Sequence, residues 1–119
     1  MFLPVLKRGD IVLVPFPFTS LKELKVRPAV IVSPDPQEID ILLAFISSVI
    51  NKDSISSTDY LLSETHLDFL ATGLKKNSIF KMRKLLSIER SHILRHLGHV
   101  SKNIQQEIDL RLKIAVGLS

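Results

Sequence analysis

Apolar and polar positions divide the chain into short extended runs followed by one stretch of helical period. After the turn signal Gly9-Asp10, the run Ile11 to Phe16 carries apolar residues on both faces, the pattern of a strand covered on two sides, and Pro15 and Pro17 are expected to end it. Arg27 to Ser33 is a second strand, with β-branched Val30, Ile31 and Val32, closed by Pro34-Asp35-Pro36. Asp40 to Ser48 is a third, apolar through Ile46 as a central strand is, and leaving the core at Ser47-Ser48. Tyr60 to Leu62, Ser78 to Met82, a short Leu85 to Ile88 and a segment near Gly98 to Val100 read as further strands. Between them, Thr19 to Lys25 is a polar connection or a lid, and Asn51 to Thr58 is one loop.

The period then changes. Ile104, Ile108, Leu112 and Ala115 or Val116 recur at helical spacing, behind Ser101 as N-cap and ahead of Gly117 as breaker, which predicts one C-terminal helix. Five or six short strands and a helix describe a mainly β fold, a small closed or half-closed barrel, because closure is what hides that many strand edges. No repeat or linker interrupts residues 1–119, so one domain is expected.

Composition narrows the chemistry. The 119 residues include no cysteine, which excludes a disulfide scaffold, an iron–sulfur site and a thiolate zinc site, and leaves an aliphatic core within a 45% hydrophobic composition. The N-terminal apolar stretch is short for a signal peptide, and the longest wholly apolar run, Ile41 to Ile46, is far below the length of a membrane span. A soluble, cytoplasmic protein without a membrane partner is expected. The 16 Lys+Arg against 12 Asp+Glu give a net charge of +4, and the pI near 9.6 suits an anionic partner such as nucleic acid. A mean hydropathy of +0.24, high for a short chain, points to surface buried in a homodimer.

The stretch Gly9-Asp10-Ile11-Val12-Leu13-Val14-Pro15-Phe16-Pro17, followed by Val26-Arg27-Pro28-Ala29-Val30-Ile31-Val32-Ser33, resembles the opening of the PemK/MazF family of type II toxin–antitoxin ribonucleases. The strand ending Ile46-Ser47-Ser48, Ser78-Ile79-Phe80 through Ser87-Ile88, and the Leu97-Gly98-His99-Val100-Ser101 entry to the last helix are similar to the family's later segments. The resemblance implies an SH3-like (PemK/CcdB-type) barrel with a C-terminal helix, a homodimer, metal-independent cleavage of single-stranded RNA at the dimer groove, and a cognate antitoxin as inhibitor. A competing reading keeps the barrel but not the chemistry: a non-catalytic toxin, or a module that binds nucleic acid or a gyrase.

Arg27 is the first catalytic candidate. Pro28 biases it towards an extended backbone, its planar guanidinium matches a phosphate, and by resemblance it falls on the family's catalytic arginine. Ser47 is the second, standing where the family usually has Thr and keeping the hydroxyl that contacts the scissile phosphate; Ser48 takes its place if the register slips by one. The PemK/Kid branch carries Arg-x-Asp where this chain has Lys81-Met82-Arg83, so the positive charge is retained and a carboxylate has become Arg83. Phe18 is a candidate for stacking a base or for a dimer contact, whereas Phe16 reads as core. Lys22, Lys25, Ser48, Lys81 and Arg83 complete the expected RNA-binding set, while Lys75, Lys76, Lys81, Arg83 and Lys84 also read together as a solvated basic face or a nonspecific phosphate track. His92, His96 and His99 have the spacing of a helical metal face, but Gly98 and the strand expected there break that helix, so no metal and no cofactor is expected. His66 alone lies near a plausible loop.

Overall fold

The computed structural model describes residues 5–16 and 25–118. Six strands, β1 (Asp10–Phe16), β2 (Lys25–Ile31), β3 (Asp40–Ser47), β4 (Asp59–Leu62), β5 (Ser78–Glu89) and β6 (Arg95–His99), precede one helix, α1 (Lys102–Ala115). They form an antiparallel sheet in the order β4-β5-β3-β2-β1-β6. The outermost strands β4 and β6 do not pair with each other, so the sheet is a half-barrel, and α1 packs on β4 and β5. The mainly β fold with a C-terminal helix expected from the sequence is thus observed, in its half-closed form.

Apolar residues on both faces of β1 are explained by two separate cores. Ile11, Val30, Ala44, Ile46, Phe80 and Met82 gather on one face and meet Ile104 and Ile108 of α1. Val12, Val14, Ala29, Ile31, Ile41 and Leu43 gather on the other, covered by Leu6 and Ile93. A strand buried on both faces loses the alternation of a half-exposed one, which is why these strands read as near-continuous apolar runs.

The helix begins and ends where its cap residues predict. The Ser101 hydroxyl accepts the Ile104 N–H at 3.2 Å, and Gly117 turns the chain out with φ 76°. Its outer side is clamped to the sheet by Arg8, whose guanidinium makes a fork to Asp109 at 2.9 and 3.1 Å and donates from Nε to the Val32 carbonyl at 3.1 Å. Near β4, Arg111 pairs with Glu107 and lies over the Tyr60 ring. Burial raises the Tyr60 phenol above its ordinary pKa, with Glu107 adding to the rise and Arg111 opposing it.

Several boundaries differ from the expectation. The runs Ser78 to Met82 and Leu85 to Ile88 are one strand, β5, interrupted in its pairing: Leu85 faces Ala44 but Lys81 faces Phe45, so the residues between them bulge out without breaking the extended chain. The Met82 N–H finds the Thr58 carbonyl at 3.1 Å instead of a β3 partner. Pro15 lies inside β1 and not at its end, β2 begins two residues before Arg27, and β6 spans Arg95–His99 where a strand was expected at Gly98 to Val100. The loop after β3 contains a 3-10 turn, Lys52–Ser54, capped by Asn51.

Candidate nucleic-acid interface

Strands β2 and β3 part at the end that carries Arg27. Their ladder pairs Ile31 with Leu43, Val30 with Ala44 and Ala29 with Phe45, and goes no further. Arg27 and Ser47 each lie two residues beyond the last pair, Ala29–Phe45, on the strand ends that have parted. A cleft of about 630 Å³ opens there. One side carries Arg27 and Pro28 of β2 with Ser47 and Ser48, beside which the β3–β5 pairing sets Ser78, and the other carries Gly73, Lys75 and Lys76 of the loop before β5 with Arg95 of β6. Leu13 of β1 lies between the two walls, paired with Pro28 on one side and with Arg95 on the other.

The electrostatics of the cleft are one-sided. Among the described residues its lining holds four Lys or Arg residues, Arg27, Lys75, Lys76 and Arg95, and no Asp or Glu. Arg27 is partly buried, and its guanidinium reaches the neighbouring Val26 carbonyl at 3.4 Å; among the described residues it makes no ion pair. A guanidinium left without a carboxylate in a concave, partly desolvated site keeps its donors for an anion from outside.

The second wall is held by close backbone approaches. Gly73 has φ 73°, and a Cβ there would lie 2.2 Å from the Leu97 carbonyl oxygen; a Cβ on Gly98 would lie 2.3 Å from the Ala71 carbonyl oxygen. Only glycines let the 3-10 turn Leu70–Thr72 press against β6 in this way. The buried Thr72 hydroxyl donates to the Phe69 carbonyl at 2.6 Å and accepts the Leu74 N–H at 3.2 Å, and the Ser78 hydroxyl donates to the Lys76 carbonyl at 2.7 Å. The backbone that carries Lys75 and Lys76 is therefore tied down at both ends.

Ser47 is buried, and its hydroxyl accepts the Val49 N–H at 3.1 Å, a local turn that fixes it at the end of β3. There it lines the large cleft and also a smaller recess of about 250 Å³ formed with Phe45, Asp59, Ile79, Lys81 and Lys84.

The structure thus brings Arg27, Ser47 and Ser48 into one cleft. Lys81 faces the smaller recess, while exposed Arg83 lies on the β5 bulge and lines neither cavity. Lys25 is the exposed first residue of β2, outside both linings, and Phe18 and Lys22 lie outside the described residues. Phe16 is core, as its pattern predicts. The helix needed for the histidine row is absent: His92 ends a 3-10 turn, and His96 and His99 sit on β6, with His96 3.4 Å from Asp10. His66 accepts the Asp68 N–H through Nδ1 at 2.9 Å in a surface turn. No group of three or more His, Cys, Asp or Glu side chains gathers among the described residues. Sequence reasoning left Lys75 and Lys76 on a general basic face and missed Arg95 altogether. The Gly73-x-Lys-Lys spacing was a usable signal for the first pair; nothing local marks Arg95, whose place follows from the β1–β6 pairing.

A small antiparallel half-barrel capped by one helix, with a basic cleft at the splayed ends of its strands, is the class of protein these observations define. The chain matches the family model of the PemK-like, MazF-like toxins of type II toxin–antitoxin systems over residues 7–116, and it belongs to that family. No curated protein matches it. Among solved structures it is similar in fold to an endoribonuclease in complex with its cognate antitoxin from a mycobacterial species (TM-score 0.73, 14% identity, 96% of this chain and 97% of that one). The Mycobacterium tuberculosis toxin MazF-mt6 is comparable (TM-score 0.71, 15% identity, 92% and 98% covered). So is MazF from Deinococcus radiodurans (TM-score 0.70, 18% identity, 97% and 99% covered). No helix among the described residues is long and apolar enough to cross a membrane.

Proposed function

We propose that this toxin is an endoribonuclease that cleaves single-stranded RNA without a metal ion. The observation that carries the reading is that Arg27, which makes no ion pair among the described residues, and Ser47 line the same basic cleft. In the proposed reaction the ribose 2′-oxygen attacks the adjacent phosphorus and the 5′-oxygen leaves. The 2′-hydroxyl proton is lost to solvent or a base, the leaving oxygen gains a proton, and the products are a 2′,3′-cyclic phosphate and a 5′-hydroxyl. Charge builds on the phosphoryl oxygens as the fifth bond forms, and a preorganised guanidinium there contributes about 3 kcal/mol of transition-state stabilisation, by analogy with oxyanion-hole donors. Ser47 donates a neutral hydrogen bond to the same phosphate; it is not a covalent nucleophile, because no His–Asp pair stands beside it among the described residues.

The change of the family's Asp to Arg83 does not disarm this arrangement, since Arg83 lies outside the cleft. We infer further that the protein acts as a homodimer in the cytoplasm and is held in check by a cognate antitoxin. The high mean hydropathy of +0.24 supports the first, and the solved complex of a similar endoribonuclease with its antitoxin supports the second. Light scattering that returns 13.4 kDa at micromolar concentration would remove the dimer. The experiment for the activity is incubation of the purified protein with a long RNA in excess EDTA. Fragments ending in a cyclic phosphate are expected; cleavage that stops on chelation and returns with a divalent cation sinks the metal-free mechanism, and no cleavage in any condition leaves a binding module.

A further inference from the structure

We propose that Arg95, with Lys75 and Lys76, forms a second phosphate-binding position across the cleft from Arg27, so that single-stranded RNA crosses the cleft with one phosphate at each wall; the inference rests on the nuclease reading. Leu13 pairs with Pro28 on one side and with Arg95 on the other, so Arg95 stands two strands away from the residue next to Arg27. Two inter-strand gaps amount to about 10 Å. At that backbone spacing, extended side chains on the two strands can each hold a separate phosphate of one RNA strand.

The chemistry of the wall agrees. The Arg95, Lys75 and Lys76 side chains are exposed, and none makes a hydrogen bond or ion pair with a described residue, although they share a cleft with a fourth cation. Like charges brought together without counter-charges repel, and that cost is relieved when a polyanion binds and releases its own counterions. The backbone beneath the lysines is fixed by the Gly73 approach to Leu97 and by the Ser78 bond to the Lys76 carbonyl, so the charges are presented on a rigid base. The role of these three cations is to hold and position the strand.

The test combines single-turnover cleavage with fluorescence anisotropy of a fluorescein-labelled single-stranded RNA dodecamer across a salt series. Arg95→Gln is expected to raise KM about tenfold with kcat within about twofold of the parent. It should also lower the slope of log K against log salt by about 0.7, the loss of one single-strand phosphate contact. The pair Lys75→Gln with Lys76→Gln, on a different element, should act in the same direction, and Arg95→Lys should restore most of the affinity. A merely structural role leaves the salt slope unchanged. Parental KM and slope in Arg95→Gln overturn the proposal, as does a fall in kcat at constant KM, which would put Arg95 on the reacting phosphate. A parent that binds the dodecamer with an Arg95-dependent slope yet never cleaves it upholds the second position and removes the nuclease reading instead.

Discussion

The two cavities that meet at Ser47 differ in one respect that decides what each can do. Among the described residues the larger is lined by four cations and no carboxylate; the smaller carries Lys81 and Lys84 together with Asp59. In the smaller recess the charge is also partly occupied, because the Lys84 ammonium lies 5.6 Å from the centre of the Phe45 ring. A side chain's sign alone therefore says little about RNA contact. What matters is whether the same concavity supplies its neutralising partner, and here two basic recesses a few residues apart are open to an anion to different degrees.

The largest effect that would break this distinction is on Arg27. Arg27→Ala is expected to slow RNA cleavage by about a hundredfold or more at an unchanged melting temperature, because it removes charge stabilisation from a partly exposed position and no core volume. Full activity in that variant would place the chemistry outside the larger cleft. Ser47→Ala should cost about tenfold, a neutral hydrogen bond being worth about half a charge-assisted one, and Ser47→Thr should be tolerated. A kcat loss in Ser47→Ala equal to that of Arg27→Ala would show that the two act as one unit, which mutant-cycle kinetics would read directly. The smallest effects belong to the other recess and the bulge: Lys81→Ala is expected to change KM by less than about threefold, as a rim charge does. Arg83→Asp should hold or raise activity. A hundredfold loss on Lys81→Ala, measured with the same RNA, would erase the contrast between the cavities.

The parts of the molecule differ in how far local sequence could reveal them. The helix was legible in full, because the Ser101 cap, the Ile104–Ile108–Leu112 period and Gly117 all act within a few residues. The two-sided burial of β1 was legible from its unbroken apolar run, whereas the continuity of β5 was not: a bulge keeps the backbone extended while shifting the pairing, and sequence records neither. The candidate pair was half legible. The motif resemblance pointed to Arg27 and Ser47, and the parting of β2 and β3 beyond Ala29–Phe45 is what opens the cleft that both line. Lys75, Lys76, Lys81 and Arg83 look alike along the chain, and strand alternation and the bulge distribute them to different surfaces. Arg95 was illegible because its neighbour across the sheet, Leu13, lies most of the chain away.

That last pairing also sets when the site can exist. The cleft draws its lining from Leu13 to Leu97, and its second wall leans on β6, which pairs only with β1. A chain emerging from the ribosome has Arg27 and Ser47 early but no opposite wall until Arg95 through His99 have followed. Contacts that join the beginning of a chain to its end form late and slowly. On the proposed reading, a nascent copy lacks the assembled cleft until β6 has been made and has paired with β1.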